Sequence, residues 1–206
     1  MSKSLLGLSV LILAGASGSA MAADGAIKFT GEIIASSCTM QAGSGGTPEA
    51  AGKTLAIDLG KVGADSLSEG GGQGNIGAAK NIDIKLDCQG LTNGLKNVHL
   101  SFKPNDGTGT GMVPNSRLLA VTAGAGSATG VGIGVFDKDN VLLDLNDSLT
   151  KITGQLGPIT NIGTEEAPRY QANANLALRA AYVKIGADPV VPGKADGYLP
   201  FQLSYD

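Results

Sequence analysis

The sequence predicts an all-β fold, a single β-sandwich of short antiparallel strands, and three observations predict it. Apolar and polar residues alternate with period two in one segment after another. Glycine-rich stretches punctuate those segments, with Gly at 32 of the 206 residues, about twice its ordinary share. Two cysteines, Cys38 and Cys88, stand alone in a chain that opens like an exported protein.

That opening is an address. Lys3 supplies a positive start, residues 5–14 an apolar stretch, and Ala20-Met21-Ala22 the small-residue pattern of a cleavage site. Spanning a bilayer takes about 20 apolar residues, and Gly and Ser interrupt this run well before that. Residues 1–22 are therefore expected to be removed as a secretory signal peptide, and no later run is long enough to span. Export gives the cysteines their meaning, because an oxidising compartment favours a Cys38–Cys88 disulfide. Closing the loop between them stabilises a fold by roughly 4 kcal/mol in the chain-entropy picture. A redox or metal site is the weaker reading, since there is no Cys-x-x-Cys and two Cys with a single His make a poor ligand set.

The expected strands run along the whole chain. Ile27, Phe29, Gly31 and Ile33 share one parity, with Lys28, Thr30 and Glu32 between them. Leu55, Ile57 and Leu59 alternate next, then Ile82, Ile84, Leu86 and Cys88 around Asp83, Lys85 and Asp87. Val98-Leu100-Phe102, Val131-Ile133-Val135 and Val141-Leu143-Leu145 continue the pattern. Such alternation puts one face of a strand in a core and the other in water. Residues 137–140, Asp-Lys-Asp-Asn, read as a hairpin turn between two of these runs. Residues 171–181 are Ala-rich and helical on propensity alone, but alternating Leu176, Leu178 and Tyr182 favour a strand. Leu199, Phe201, Leu203 and Tyr205 close the chain on one parity. Residues 43–46, 70–74 and 108–111 read as Gly loops, and no repeat, linker or composition shift divides the chain beyond the signal.

Composition argues against catalysis. The formal net charge is −3 with 15 basic and 18 acidic residues, so nothing marks a nucleic-acid or anionic-membrane surface. A single histidine, His99, rules out multi-His metal sites, and its alternation with Val98 and Leu100 turns it to solvent on a strand. No G-x-S-x-G elbow accompanies it. Gly52-Lys53-Thr54 fails as a phosphate loop because Thr47 stands where the first Gly belongs. The Asp137 turn lacks the sixth-position Gly and twelfth-position Glu of a calcium loop. Asn146-Asp147-Ser148 fits a glycosylation sequon, a pattern common by chance. No catalytic, metal or cofactor site is expected.

The two ends of the chain carry a more specific signal. Phe29-Thr30-Gly31-Glu32-Ile33-Ile34-Ala35-Ser36-Ser37-Cys38 and Ile82-Asp83-Ile84-Lys85-Leu86-Asp87-Cys88 hold the two half-cystines. Val131-Gly132-Ile133-Gly134-Val135-Phe136-Asp137 lies centrally, Gly193 falls fourteenth from the C-terminus and Tyr205 is penultimate. Together these residues resemble the pilins of chaperone–usher fimbriae, of the type 1 fimbrial-subunit kind, over the whole mature chain. Pro200 within the last strand departs from the pattern by removing a ladder donor.

The resemblance implies an incomplete immunoglobulin-like sandwich that lacks its last strand. A donor strand from a neighbouring subunit would complete it. Residues 23–36 would form the N-terminal donor extension, inserting Ile27, Phe29, Gly31 and Ile33, and residues 37–206 the pilin domain. Gly193, Leu199, Phe201, Leu203 and Tyr205 would form the edge that accepts a chaperone and then the donor. The implied partners are a periplasmic chaperone, an outer-membrane usher and other pilin subunits head to tail. The implied place is a surface fimbrium reached through the periplasm, used for adhesion or biofilm formation. A minor, adapter or receptor-binding subunit is the alternative role, and a closed monomeric sandwich the alternative architecture.

Overall fold

The computed structural model describes residues 37–41, 43–49, 53–67 and 79–206. The signal segment and the expected donor residues Ile27, Phe29, Gly31 and Ile33 lie outside the described residues. The strands in chain order are β1 (Ser37–Gln41), β2 (Thr47–Glu49), β3 (Thr54–Ala56), β4 (Lys80–Leu91), β5 (Asn97–Phe102), β6 (Val131–Phe136), β7 (Lys151–Gln155), β8 (Thr160–Asn161), β9 (Tyr170–Lys184) and β10 (Phe201–Tyr205). A larger sheet runs β1-β4-β9-β6 with β8 alongside β9. A smaller sheet runs β10-β5-β7, β2 and β3 form a separate hairpin, and every one of these pairings is antiparallel.

Alternation builds the core. Ile82, Ile84, Leu86 and Cys88 of β4 and Leu176, Leu178 and Ala180 of β9 turn one face inward, onto Val98, Leu100 and Phe102 of β5 and Ile152 of β7. Each fully buried Leu or Ile contributes about 1.5–3 kcal/mol. The Ala-rich segment is strand throughout β9, since its alternating inward residues gain more from this core than Ala gains from a helix. Cys38 stands directly opposite Cys88 and the two form the disulfide.

Three expectations change. All six residues of β6 are buried, so neither of its faces meets water. The outer face carries a second cluster of Leu118, Phe136, Ala181 and Val183 beneath the loop before the strand. Glycine makes that approach possible: a Cβ at Gly132 would stand 2.9 Å from Leu118 Cβ, and one at Gly134 2.9 Å from Phe136 Cε2. The second change is at Val141-Leu143-Leu145, which forms no strand. The turn at 137–140 is present, with Asn140 at φ 65° and Asp137 Oδ1 accepting from the N–H groups of Asp139 and Val141. Beyond it the chain makes a single bridge back to β6 and then leaves the larger sheet for β7, so it has no ladder partner. Leu145 alone of the three is fully buried, at 1% exposure. Similarly, Leu55 is paired in β3, whereas Ile57 and Leu59 continue unpaired along the edge of the core.

Candidate functional site: an open groove beside the last strand

Between the two sheets lies an apolar groove of about 830 Å³. Its floor includes Ile82, Ile84, Leu178, Ala180, Ile133 and Val135. One rim is β10, preceded by residues 195–200; the other is β1 with Leu55, Ile57 and Leu59. Leu199, Phe201, Leu203 and Tyr205 all face the core, yet each is only half-buried. Four large apolar residues held that way mark a surface for a partner.

Among the described residues, the backbone at this rim is paired on one side only. Lys103 N–H donates to the Pro200 carbonyl at 2.8 Å, and Asp206 exchanges both backbone bonds with Asn97. Alternate residues of an antiparallel strand point to opposite sides, so the even positions of β10 bond β5. Phe201 and Leu203 therefore aim their N–H and C=O groups away from β5, into the groove. Among the described strands β10 pairs only with β5. Such an edge templates pairing with another chain. Pro200 does not interrupt it: the strand starts at Phe201, and Pro200 presents its main chain to the β5 side.

One end of the groove is fixed by the disulfide. Tyr205 Oη lies 3.0 Å from Cys38 Sγ, and because a disulfide sulfur carries no proton, the hydroxyl donates. Burial pushes the Tyr205 hydroxyl above its ordinary pKa. At the opposite end Tyr182 is raised by burial and by the nearby carboxylates of Asp196 and Asp58. Sequence alternation turns Tyr182 inward but gives no sign that it, Ile57 and Leu59 border one opening. That needs the topology.

Gly193 is not part of this lining. A Cβ there would lie 2.5 Å from Ala128 N and 2.6 Å from Gly126 O, so this glycine lets the approach to β10 pass over the backbone of residues 126–128. His99 sits on the outer face of the smaller sheet, with Nδ1 2.8 Å from Thr153 Oγ1 and Nε2 2.9 Å from Asp206 Oδ2. Asn97 Nδ2 donates to Asp206 Oδ1 at 2.8 Å, and that bond first, then His99, lowers the Asp206 pKa. A carboxylate lowered in the folded state stabilises above its unfolded pKa of about 4, and the contribution disappears as pH falls through the lower folded value. Acidification below pH 4 is therefore expected to loosen the end of β10 first. Hydrogen exchange at Asn97 N–H, which donates to the Asp206 carbonyl at 3.0 Å, should accelerate before the core amides do. Unchanged protection there would contradict it.

The family of fimbrial proteins matches residues 27–206. The fimbrial subunit LpfA of Escherichia coli O157:H7 is 31% identical over 100% of this chain and 98% of its own length. Long polar fimbria protein A of Salmonella typhimurium is 30% identical, again over 100% and 98%. Among solved structures, the P pilus rod subunit PapA overlaps with a TM-score of 0.46 at 15% identity, across 82% of this chain and 99% of that one. An all-β sandwich bearing this groove thus goes with a family match that runs from Ile27 to the last residue. The chain belongs to the fimbrial protein family, as a pilin subunit of the chaperone–usher kind.

Proposed function

We propose that this fimbrial subunit is a structural unit of the fibre shaft and polymerises by donor-strand exchange. The observation that carries the reading is the half-buried row Leu199, Phe201, Leu203 and Tyr205 on β10, which among the described strands pairs only with β5. A strand bearing Ile27, Phe29, Gly31 and Ile33 on one side has the parity to fill such a groove and extend such an edge, which is β-strand addition. Donor and acceptor at opposite ends of one chain make a head-to-tail contact, and that generates an open filament. A subunit cannot keep the groove exposed while it waits, so a periplasmic chaperone occupies it first and an outer-membrane usher catalyses the exchange. The finished fibre serves adhesion or biofilm formation at the surface. The relative in Escherichia coli O157:H7 carries the name of a major fimbrial subunit, which favours a shaft role over a minor or adapter one.

Gly31→Asn tests the donor. A side chain there would meet the partner's groove where glycine fits. Fibres should be lost in electron micrographs, while the variant still folds and still co-purifies with its chaperone. Fibres of normal length from the variant would overturn the reading.

A further inference from the structure

The Tyr198 end of the groove has a feature that filling the groove does not use. Tyr198 precedes β10, borders the groove and is 44% exposed. Thr110 fixes its main chain on both sides, donating its N–H to the Tyr198 carbonyl at 3.0 Å and accepting the Tyr198 N–H on Oγ1 at 3.3 Å. Leu59 and the partly buried ring of Tyr182 line the same groove. These side chains border the groove rather than floor it, with the Asp196 and Asp58 carboxylates near Tyr182.

The extension brings something suited to it. Its alternation stops at Ile33, and Ile33-Ile34-Ala35 are apolar in succession. If Ile33 points into a groove, Ile34 points out of it and needs cover of its own.

Chain length and position decide whose Ile34 this is. The extension joins β1 at Ser37, beside Cys38 and hence at the Tyr205 end of the groove. From Leu199 to Tyr205 is about 20 Å of strand. The four steps from Ile33 to Ser37 reach at most about 14 Å. A chain therefore cannot lay its own donor antiparallel to β10, with Ile33 at the Tyr198 end, and still connect to its own β1. A second copy can. Antiparallel pairing is also the stronger ladder.

We propose that the rim formed by Tyr198, Leu59 and Tyr182 is a docking surface for Ile34 and Ala35 of the next copy of this chain, a contact separate from groove filling. The proposal rests on the donor-strand reading above. The rim clamps the stretch between the inserted strand and the neighbour's body, and so resists extraction of the strand.

A double-mutant cycle on full-length subunits tests it, comparing wild type, Ile34→Ser, Tyr198→Ser and both together. The readout is the rate at which assembled fibres dissociate in denaturant. Each single substitution should speed dissociation about tenfold, and the pair no more than either alone, because both remove one contact. Additive effects, or none, would overturn the proposal. Coupling of the same size in the thermal unfolding of the isolated monomer would also overturn it, by placing Ile34 on its own chain's Tyr198. Phe29→Asp serves as the separate control: if fibres still form with it, the donor-strand reading itself fails, whatever the cycle shows.

Discussion

Phe201→Asp is expected to abolish fibre formation while costing the isolated subunit much less. Phe201 pairs with Phe102 of β5 and lines the groove, whose floor is Ile, Leu, Val and Ala. In the open subunit the side chain is half-buried, so a carboxylate there keeps part of its hydration. Once a donor covers the groove, that carboxylate faces apolar side chains with no partner, and burying it costs several kcal/mol or forces it to take up a proton. A loss of that size lowers assembly by a factor of about a hundred or more. Fibre yield and the unfolding midpoint of the chaperone-free subunit would be measured together. Fibres at wild-type level from the variant would show that Phe201 is not covered in the assembly.

Removing the disulfide is the second large effect. Cys38 and Cys88 join the strand beside the groove to the centre of the larger sheet, and Cys38 Sγ accepts the Tyr205 hydroxyl. The double substitution Cys38→Ser with Cys88→Ser should destabilise the subunit by about 2–5 kcal/mol. For a domain of this size that lowers the thermal midpoint by roughly 5–15 °C. Reductant should have the same effect on the wild type and none on the variant. An unchanged midpoint would mean that β1 is held by its ladder alone.

Much of the fold is legible in the residues because alternation is a local record of which face is buried. β4, β5, β9 and β10 stand where Ile82-Ile84-Leu86, Val98-Leu100-Phe102, Leu176-Leu178 and Phe201-Leu203 place them. β7 leaves almost no trace, because in Lys151–Gln155 only Ile152 is a large inward residue and the other inward position is Gly154. The opposite error arises at Val141-Leu143-Leu145, where the alternation is real but the chain is crossing between sheets and no partner strand lies beside it. At β6 the pattern is legible and its environment is not, since no local signal announces that a loop will fold over Gly132 and Gly134. The rims of the groove divide in the same way. The β10 residues are visible as a terminal alternating run. Leu59, Tyr182 and Tyr198 come together only through the order of strands, from positions far apart in sequence. Gly193 marks the approach to β10 but serves packing against residues 126–128, a role its place in the motif does not reveal.

In the fibre, the groove-facing backbone edge of β10 is expected to be occupied by another chain. Hydrogen exchange measures this residue by residue. Within β10, Gln202 and Ser204 face β5, whereas the N–H groups of Phe201 and Leu203 face the groove. In the chaperone-free monomer the amides of Gln202 and Ser204 should exchange slowly and those of Phe201 and Leu203 fast. In the fibre all four should be slow, with Phe201 and Leu203 gaining about a hundredfold in protection or more. Phe201 and Leu203 amides already protected in the monomer, or still fast in the fibre, would contradict the account.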